Sequence, residues 1–351
     1  LSKFGGNFAD YLRITAPITA PNVQINNLIS SNYSYSTPAA DSVTVAPKCF
    51  KKDVRLTHEN VAHPKVLDPL VRERLSDRGS YIETLKLMAP EQFRSYFLNN
   101  YEIYKKNPPA LAISTVTKND NNKPLSLNMC GMFAKEKISK GSIISEYTGE
   151  IKPDSYANSF FSQADDTYLV GLHPVVDSIK HRSAASMSNH GFPNSQLLSL
   201  GKGDLDQGLD GLPFRHVLVA IDDIAEGEEI IWNYGAHYPS SGFSEPRPKG
   251  LEQFLKNTSW KEIIQALKEF GSTEIAKENL IDIFNKVYKF KYFVESPQAM
   301  KFAIEHKYLE KEHLRLLEKA SNNDSFPPLS RALLTQFVER AKSQFKNKRE
   351  L

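Results

Sequence analysis

The chain predicts an α+β protein with a helical lead-in, a β-rich centre and an all-helical C-terminal part. Three observations carry that prediction. From Pro64 to Tyr104 apolar residues recur at helical spacing, and between Ala110 and Ile221 short apolar runs alternate with Gly, Asp and Asn punctuation. Beyond Leu251 the helical spacing returns without β-branched alternation. At 351 residues the chain can bury more than one core, so two or three domains are expected.

Residues 1–60 are rich in Ser, Asn, Thr and Pro, as in the run from Ser30 to Pro38, and read as extended or loosely ordered chain. Residues 61–109 form the helical lead-in, with helices over Pro64–Leu75 and Ser80–Tyr104. Its candidate core residues are Ile82, Leu85, Leu87, Met88, Phe93, Tyr96 and Phe97, and Asn107-Pro108-Pro109 ends it, because proline removes a helical donor. Residues 110–240 hold strands expected at Ala110–Val116, Leu125–Met129, Ser142–Tyr147, Tyr168–Leu172 and His216–Ile221, with Gly201–Gly211 read as an inserted surface loop. The proline-rich stretch Pro239–Pro248 closes this region. Residues 249–351 are the helical domain, where Leu255, Trp260, Ile263, Ile264 and Leu267 share one face, as do Ile281, Phe284, Val287 and Tyr288. Ser296-Pro297 and the leucines after it faintly match one ankyrin unit, but a plain helical bundle fits better.

Hydrophobic content of 40% and charged content of 24% are ordinary for a globular protein, and no apolar run approaches the length of a membrane span. The opening Leu1-Ser2-Lys3-Phe4 has neither an initiator Met nor the features of a secretory signal, as expected of a piece of a longer protein. Two cysteines, Cys49 and Cys130, argue against a disulfide framework and cannot supply a four-thiolate zinc site, which points to a reducing, intracellular setting. Between Lys140 and Tyr238 fourteen acidic residues face six basic ones, whereas Lys249–Leu351 carries nineteen basic against fourteen acidic. An acidic centre suits a basic partner, and a solvated acidic surface explains it equally well. The basic tail Lys346-Asn347-Lys348-Arg349 is too short to predict nucleic-acid binding.

Three strings in the centre carry the chemistry. The first begins at Gly131-Met132-Phe133-Ala134 and runs through Ile138-Ser139-Lys140-Gly141 to Glu146-Tyr147-Thr148-Gly149-Glu150. The second is Ser188-Asn189-His190-Gly191-Phe192-Pro193-Asn194, and the third runs from Ala220 through Glu226-Gly227-Glu228-Glu229 to Trp232-Asn233-Tyr234-Gly235. In this order and at these gaps they resemble the SET-domain protein-lysine methyltransferases, over about 110 residues from Leu125 to Tyr238. The resemblance implies a β-rich SET fold with a knot-like chain crossing, S-adenosylmethionine as cofactor, and no metal in this cysteine-poor chain.

It also assigns roles. Cys130, Gly131 and Met132 fall where backbone approaches the cofactor, which glycine permits sterically, although Met129 replaces the usual first glycine. Asn189 and His190 fall on the family's cofactor-binding pair, and Tyr234 on the catalytic tyrosine, which also borders the cofactor. Trp232, Tyr168 and Tyr147 are candidate walls of the lysine channel, with Trp232 at a position that implies mono- or dimethylation. For Tyr147 and Tyr168 a packing role fits as well. Ser186, Met187 and Gly191 depart from the usual Arg, Phe and Ser, the stretch is one residue short before Pro193, and Asn233 replaces the more usual Asp. The segment after Tyr234 lacks the zinc-binding cysteines of many relatives, so the C-terminal helices are expected to supply a lid, with Tyr238, Phe243, Phe254 or Trp260 stacking near the adenine, although for Phe254 and Trp260 a place in the core of the helical domain fits better.

The expected function is methyl transfer from S-adenosylmethionine to a lysine of a basic protein segment, a histone tail first. The alternatives are a SET fold that only binds a partner, and a methyltransferase for a non-histone protein. A SET domain without cysteine clusters, followed by helices that could bind a further protein partner, is also similar to the effectors that intracellular bacteria secrete. That similarity implies action on chromatin in a host nucleus.

Overall fold

The computed structural model describes residues 43–46, 48–49, 55–56, 61–62, 91–118, 124–152, 169–170, 175–178, 181–200, 215–234, 250–270 and 275–347. The expectations for Pro64–Leu75, for Ser80–Pro90, for the Gly201–Gly211 loop and for Pro239–Pro248 lie outside these residues. Within residues 1–60, read from sequence as extended or loosely ordered, the described part includes two short strands.

Helix α1 (Glu91–Lys106) ends just ahead of Asn107 and the two prolines. Its Phe93, Phe97 and Tyr101, four residues apart, form one buried stripe. The β region is a set of small sheets. Strand β1 (Val43–Val45) runs parallel to β4 (Leu111–Lys118), which pairs antiparallel with β5 (Pro124–Ala134). Strand β2 (Arg55–Leu56) pairs with β10 (His181–Arg182). A four-stranded sheet has the order β3 (Val61–Ala62), β7 (Glu150–Lys152), β9 (Val175–Asp177) and β8 (Leu169–Val170). The sheet of β12 (Ser195–Leu200), β13 (Arg215–Ala220) and β6 (Ile143–Glu146) is antiparallel. Finally β11 (Asn189–His190) and β14 (Ile231–Trp232) pair in parallel, at the place where the resemblance implied a knot-like crossing.

The β12–β13–β6 sheet lies between two cores. Along β13 and just beyond it, Val217, Val219 and Ile221 enter a core shared with α1 and the C-terminal helices, while Leu218 and Ala220 enter the core of the β region. Ile143 and Ile144 of β6 split the same way. A strand buried on both faces reads as an unbroken apolar run, which is why this segment shows no alternation in sequence.

The C-terminal part comprises α2 (Leu251–Asn257), α3 (Trp260–Glu269), α4 (Lys277–Glu295), α5 (Pro297–Glu305), α6 (Lys311–Ser321) and α7 (Pro328–Asn347). Ser259 and Glu262 form a capping box that starts α3, and Ser296 with Pro297 starts α5. Helix α6 packs chiefly along α7, and α4 lies against α3, α5 and α7, so the unit is a bundle. Aromatic rings fill it: Phe284 meets Phe93, Phe97 and Tyr288 at 5.4, 5.3 and 4.4 Å between centroids. Among the described residues no helix is long and apolar enough to cross a membrane.

One sequence expectation is corrected here. Cys49 and Cys130 form a disulfide across 81 residues of chain. The β1–β4 pairing and the turn held by Cys49 N–H to the Ala46 carbonyl bring Cys49 beside β5, a juxtaposition that spacing in sequence does not show.

Candidate active site

The parallel pairing of β11 with β14 places Asn189 opposite Ile231 and His190 opposite Trp232. Strings forty residues apart thereby become neighbours. Asn194 locks them: its Oδ1 accepts from the Ile231 N–H at 2.9 Å, and its Nδ2 donates to the Glu229 carbonyl at 2.8 Å. Ser195 Oγ adds a bond to the Ile231 carbonyl at 2.8 Å.

Tyr234 is fixed at both ends. Its hydroxyl donates to the Ser188 carbonyl at 2.5 Å, and its backbone N–H donates to His190 Nδ1 at 3.1 Å. That bond assigns Nδ1 as an acceptor, so the proton of a neutral His190 ring sits on Nε2. The Tyr234 ring lies 4.7 Å from Trp232 and 5.4 Å from His190 between centroids. Ser188 is itself buried and donates through Oγ to the Ile230 carbonyl at 2.6 Å.

The first string arrives from β5. Ile230 N–H bonds to the Met132 carbonyl, and Ala134 N–H to the Glu228 carbonyl, so the 130–134 strand runs beside the 228–230 segment. Asn189 Nδ2 donates to Glu229 Oε1 at 2.7 Å and to the Cys130 carbonyl at 3.3 Å. A Cβ on Gly131 would sit 2.5 Å from Glu229 Oε1, 2.9 Å from Val116 Cγ2 and 3.0 Å from Asn189 Nδ2. A side chain there would push the Glu229, Val116 and Asn189 side chains aside. Gly191, where the usual residue is Ser, likewise has Ile231 Cγ2 at 2.9 Å from a would-be Cβ. Met132 is fully buried, and its carbonyl already accepts from the Ile230 N–H.

Of the residues singled out from sequence, Cys130, Gly131, Asn189, His190, Trp232 and Tyr234 therefore meet in one place. Tyr147 is buried in the core cluster that contains Trp232, with Tyr234 packed on its edge. Tyr168 lies outside the described residues, as do Tyr238 and Phe243. Phe254 and Trp260 are core residues: Phe254 stacks near Phe192 at 5.7 Å, and Trp260 meets Phe337 at 5.5 Å while its Nε1 donates to the Tyr308 carbonyl. The aromatic that the C-terminal helices bring to the site is instead Tyr292, whose ring is 6.1 Å from His190. Ser188, Tyr292 and Glu295 were not singled out from sequence. Ser188 acts through its carbonyl, and the other two reach the site only through helix packing. Among the described residues no group of three or more His, Cys, Asp or Glu side chains is placed to hold a metal ion.

The SET domain family model matches residues 130–235. No curated protein matches the chain. Among solved structures, the chain is similar to the Neurospora SET domain protein DIM-5, a histone lysine methyltransferase, at 13% identity, covering 55% of this chain and 94% of that one, with a TM-score of 0.38. It is similar to the methyltransferase domain of human SETMAR at 19% identity over 37% of this chain and 46% of that one, with a TM-score of 0.28. KRYPTONITE, solved with mCHH DNA, an H3(1-15) peptide and SAH, matches at 20% identity and a TM-score of 0.27, over 39% of this chain. The chain spans 25% of the KRYPTONITE chain.

Proposed function

Taking the chain as one that carries a SET domain over residues 130–235, we propose that it is a protein-lysine N-methyltransferase. The methyl donor in this reading is S-adenosylmethionine, and the acceptor is a lysine in a basic protein segment, a histone tail first. The observation that supports it most is the double anchoring of Tyr234 by Ser188 and His190 beside the Gly131 strand.

The residues present fit the donor. Gly131 is a backbone position closely surrounded by the Glu229, Val116 and Asn189 side chains, and Asn189 and His190 pair with the strand that carries Trp232. Aromatic rings and carbonyl oxygens around Tyr234 suit a sulfonium cation. Cys130 and Gly131 backbone, Asn189, His190 and Tyr234 would hold it. When bound, S-adenosylmethionine supplies an electrophilic methyl group on a positively charged sulfur.

The chain's own residues then do three things. Tyr234, with its hydroxyl hydrogen committed to Ser188, presents acceptor lone pairs that orient an incoming amine. Trp232 and Tyr147 give apolar walls, which disfavour the ammonium form and lower the lysine pKa from about 10.4. The Ser188 and His190 bonds hold Tyr234 in place before substrate arrives, so alignment costs little at the moment of reaction. The excess of acidic over basic residues between Lys140 and Tyr238 supports a basic substrate.

The test is transfer of radiolabel from S-adenosylmethionine to core histones and to whole-cell extract, beside a Tyr234→Phe variant. Label on histones that falls at least tenfold in the variant supports the reading. Label only in extract moves the substrate to another protein. No label in either, with no measurable cofactor binding, leaves a SET fold that serves as a binding module.

A further inference from the structure

We propose that Glu295, the last residue of α4, is a positioning residue for methyl transfer that acts through Asn233 on Tyr234. The inference rests on the methyltransferase reading above. Alternation along the chain places the Trp232 and Tyr234 rings together, 4.7 Å apart. Asn233 lies between them in sequence, is buried, and donates through Nδ2 to Glu295 Oε2 at 2.6 Å. This is a bond to a carboxylate, the stronger class of hydrogen bond. Because Asn233 is flanked by both aromatic residues, its backbone cannot shift without moving them.

A second brace comes from the same helix face. Tyr292, three residues before Glu295, sets its ring against His190, whose Nδ1 accepts the Tyr234 N–H. Helix α4 thus supports Tyr234 through both of its neighbours, Asn233 in the chain and His190 across the strand pair. Lys291, one turn back, has its ammonium 3.9 Å from Glu295 Oε1. The helix itself is anchored elsewhere by Phe284, Val287, Phe290 and Phe293 in the large core. Loss of one bond at its end therefore leaves the fold intact, and what changes is the placement of Tyr234. Misplacement by about 1 Å is enough to cost roughly a hundredfold in rate.

The experiment compares wild type, Glu295→Ala and Glu295→Gln in the whole 351-residue chain carrying 5-fluorotryptophan. The chain has two tryptophans, Trp232 beside Tyr234 and Trp260 in the helical core. In Glu295→Ala the expected result is a kcat at least tenfold lower, with cofactor Kd and peptide KM within threefold and Tm within a few degrees. The Trp232 fluorine resonance moves and the Trp260 resonance stays. Glu295→Gln keeps an oxygen acceptor for Asn233 and recovers most of the rate. Unchanged kcat and an unmoved Trp232 resonance in Glu295→Ala overturn the proposal. So does a variant in which both resonances move and Tm drops, since Glu295 is then a fold-holding residue. If wild type methylates no protein at all, the methyltransferase reading fails, and the Trp232 resonance alone decides whether Glu295 sets that side of the site.

Discussion

Asn189 and Glu229, forty residues apart, are joined by a 2.7 Å hydrogen bond from the amide to the carboxylate, and the backbone of Gly131 lies directly against both. The three sequence strings that suggest the function are thus one interlocked unit. Each holds the others at the proposed cofactor position.

Gly131→Ala tests that unit. Its Cβ would displace Glu229 Oε1 or Asn189 Nδ2, breaking their charge-assisted bond, which is worth about 1.5–3 kcal/mol. The expected outcome is cofactor or S-adenosylhomocysteine binding weakened about ten- to a hundredfold, read by titration calorimetry. Affinity within twofold of wild type would remove the Gly131 strand from the cofactor site.

How much of this was legible in the sequence follows from the range of each signal. Gly131, Asn189, His190 and Tyr234 sit in short strings whose residue types report a local backbone or contact need. Glu295 and Tyr292 carry no such string, because their role depends on where α4 docks. Ser188 offers a carbonyl, which every residue has, and so leaves no mark in its side-chain type. Val217–Ile221 reads as a strand, but its burial on two sides becomes visible only once the helical domain is seen packed against it. The Cys49–Cys130 pair depends on the parallel β1–β4 pairing, a contact that neither cysteine's surroundings in sequence signal.

That disulfide makes a prediction of its own. In denaturant without reductant the protein should show no titratable thiols, and after reduction two. A cross-link closing a loop of this length contributes about 2–4 kcal/mol. Reduction should therefore lower Tm by several degrees. Cys49→Ser should do the same without reductant, and equal Tm values in all three states would show that the link does not stabilise the fold.

His216 predicts a pH dependence. It is buried on β13, and burial pushes its pKa down to about 4 from 6.5. In the unfolded chain the ring takes up its proton near pH 6.5, so between that value and about 4 the unfolded state binds more protons than the folded one. Stability is fully present above pH 6.5 and falls as pH drops through this window, by about 3 kcal/mol in all. Urea denaturation at a series of pH values should show a shallower slope in His216→Gln than in wild type. Parallel curves would mean that His216 does not carry this dependence.

The last prediction concerns how the helical domain is held on the sheet. Lys289 on α4 is buried, with its ammonium 2.5 Å from Asp222 Oδ2 and about equally distant from the rings of Phe192 and Phe254, at 5.4 and 5.3 Å. Burial lowers its pKa, and Asp222 opposes that shift. Asp222 also accepts from Asn285 Nδ2 at 2.5 Å, and the same amide donates to the Ile221 carbonyl at 2.6 Å, so one turn after β13 is tied to α4 by three bonds. The two partners are not equivalent, because the Asp222 side chain is 36% exposed and that of Lys289 only 9%. Asp222→Ala strands a buried ammonium and should cost about 3 kcal/mol, whereas Lys289→Met leaves a carboxylate that solvent can hydrate and should cost about 1 kcal/mol or less. The double variant should then be more stable than Asp222→Ala alone, since the stranded charge is gone. Strict additivity of the two single effects in urea denaturation would show that the pair is uncoupled and that α4 is held by its apolar face alone.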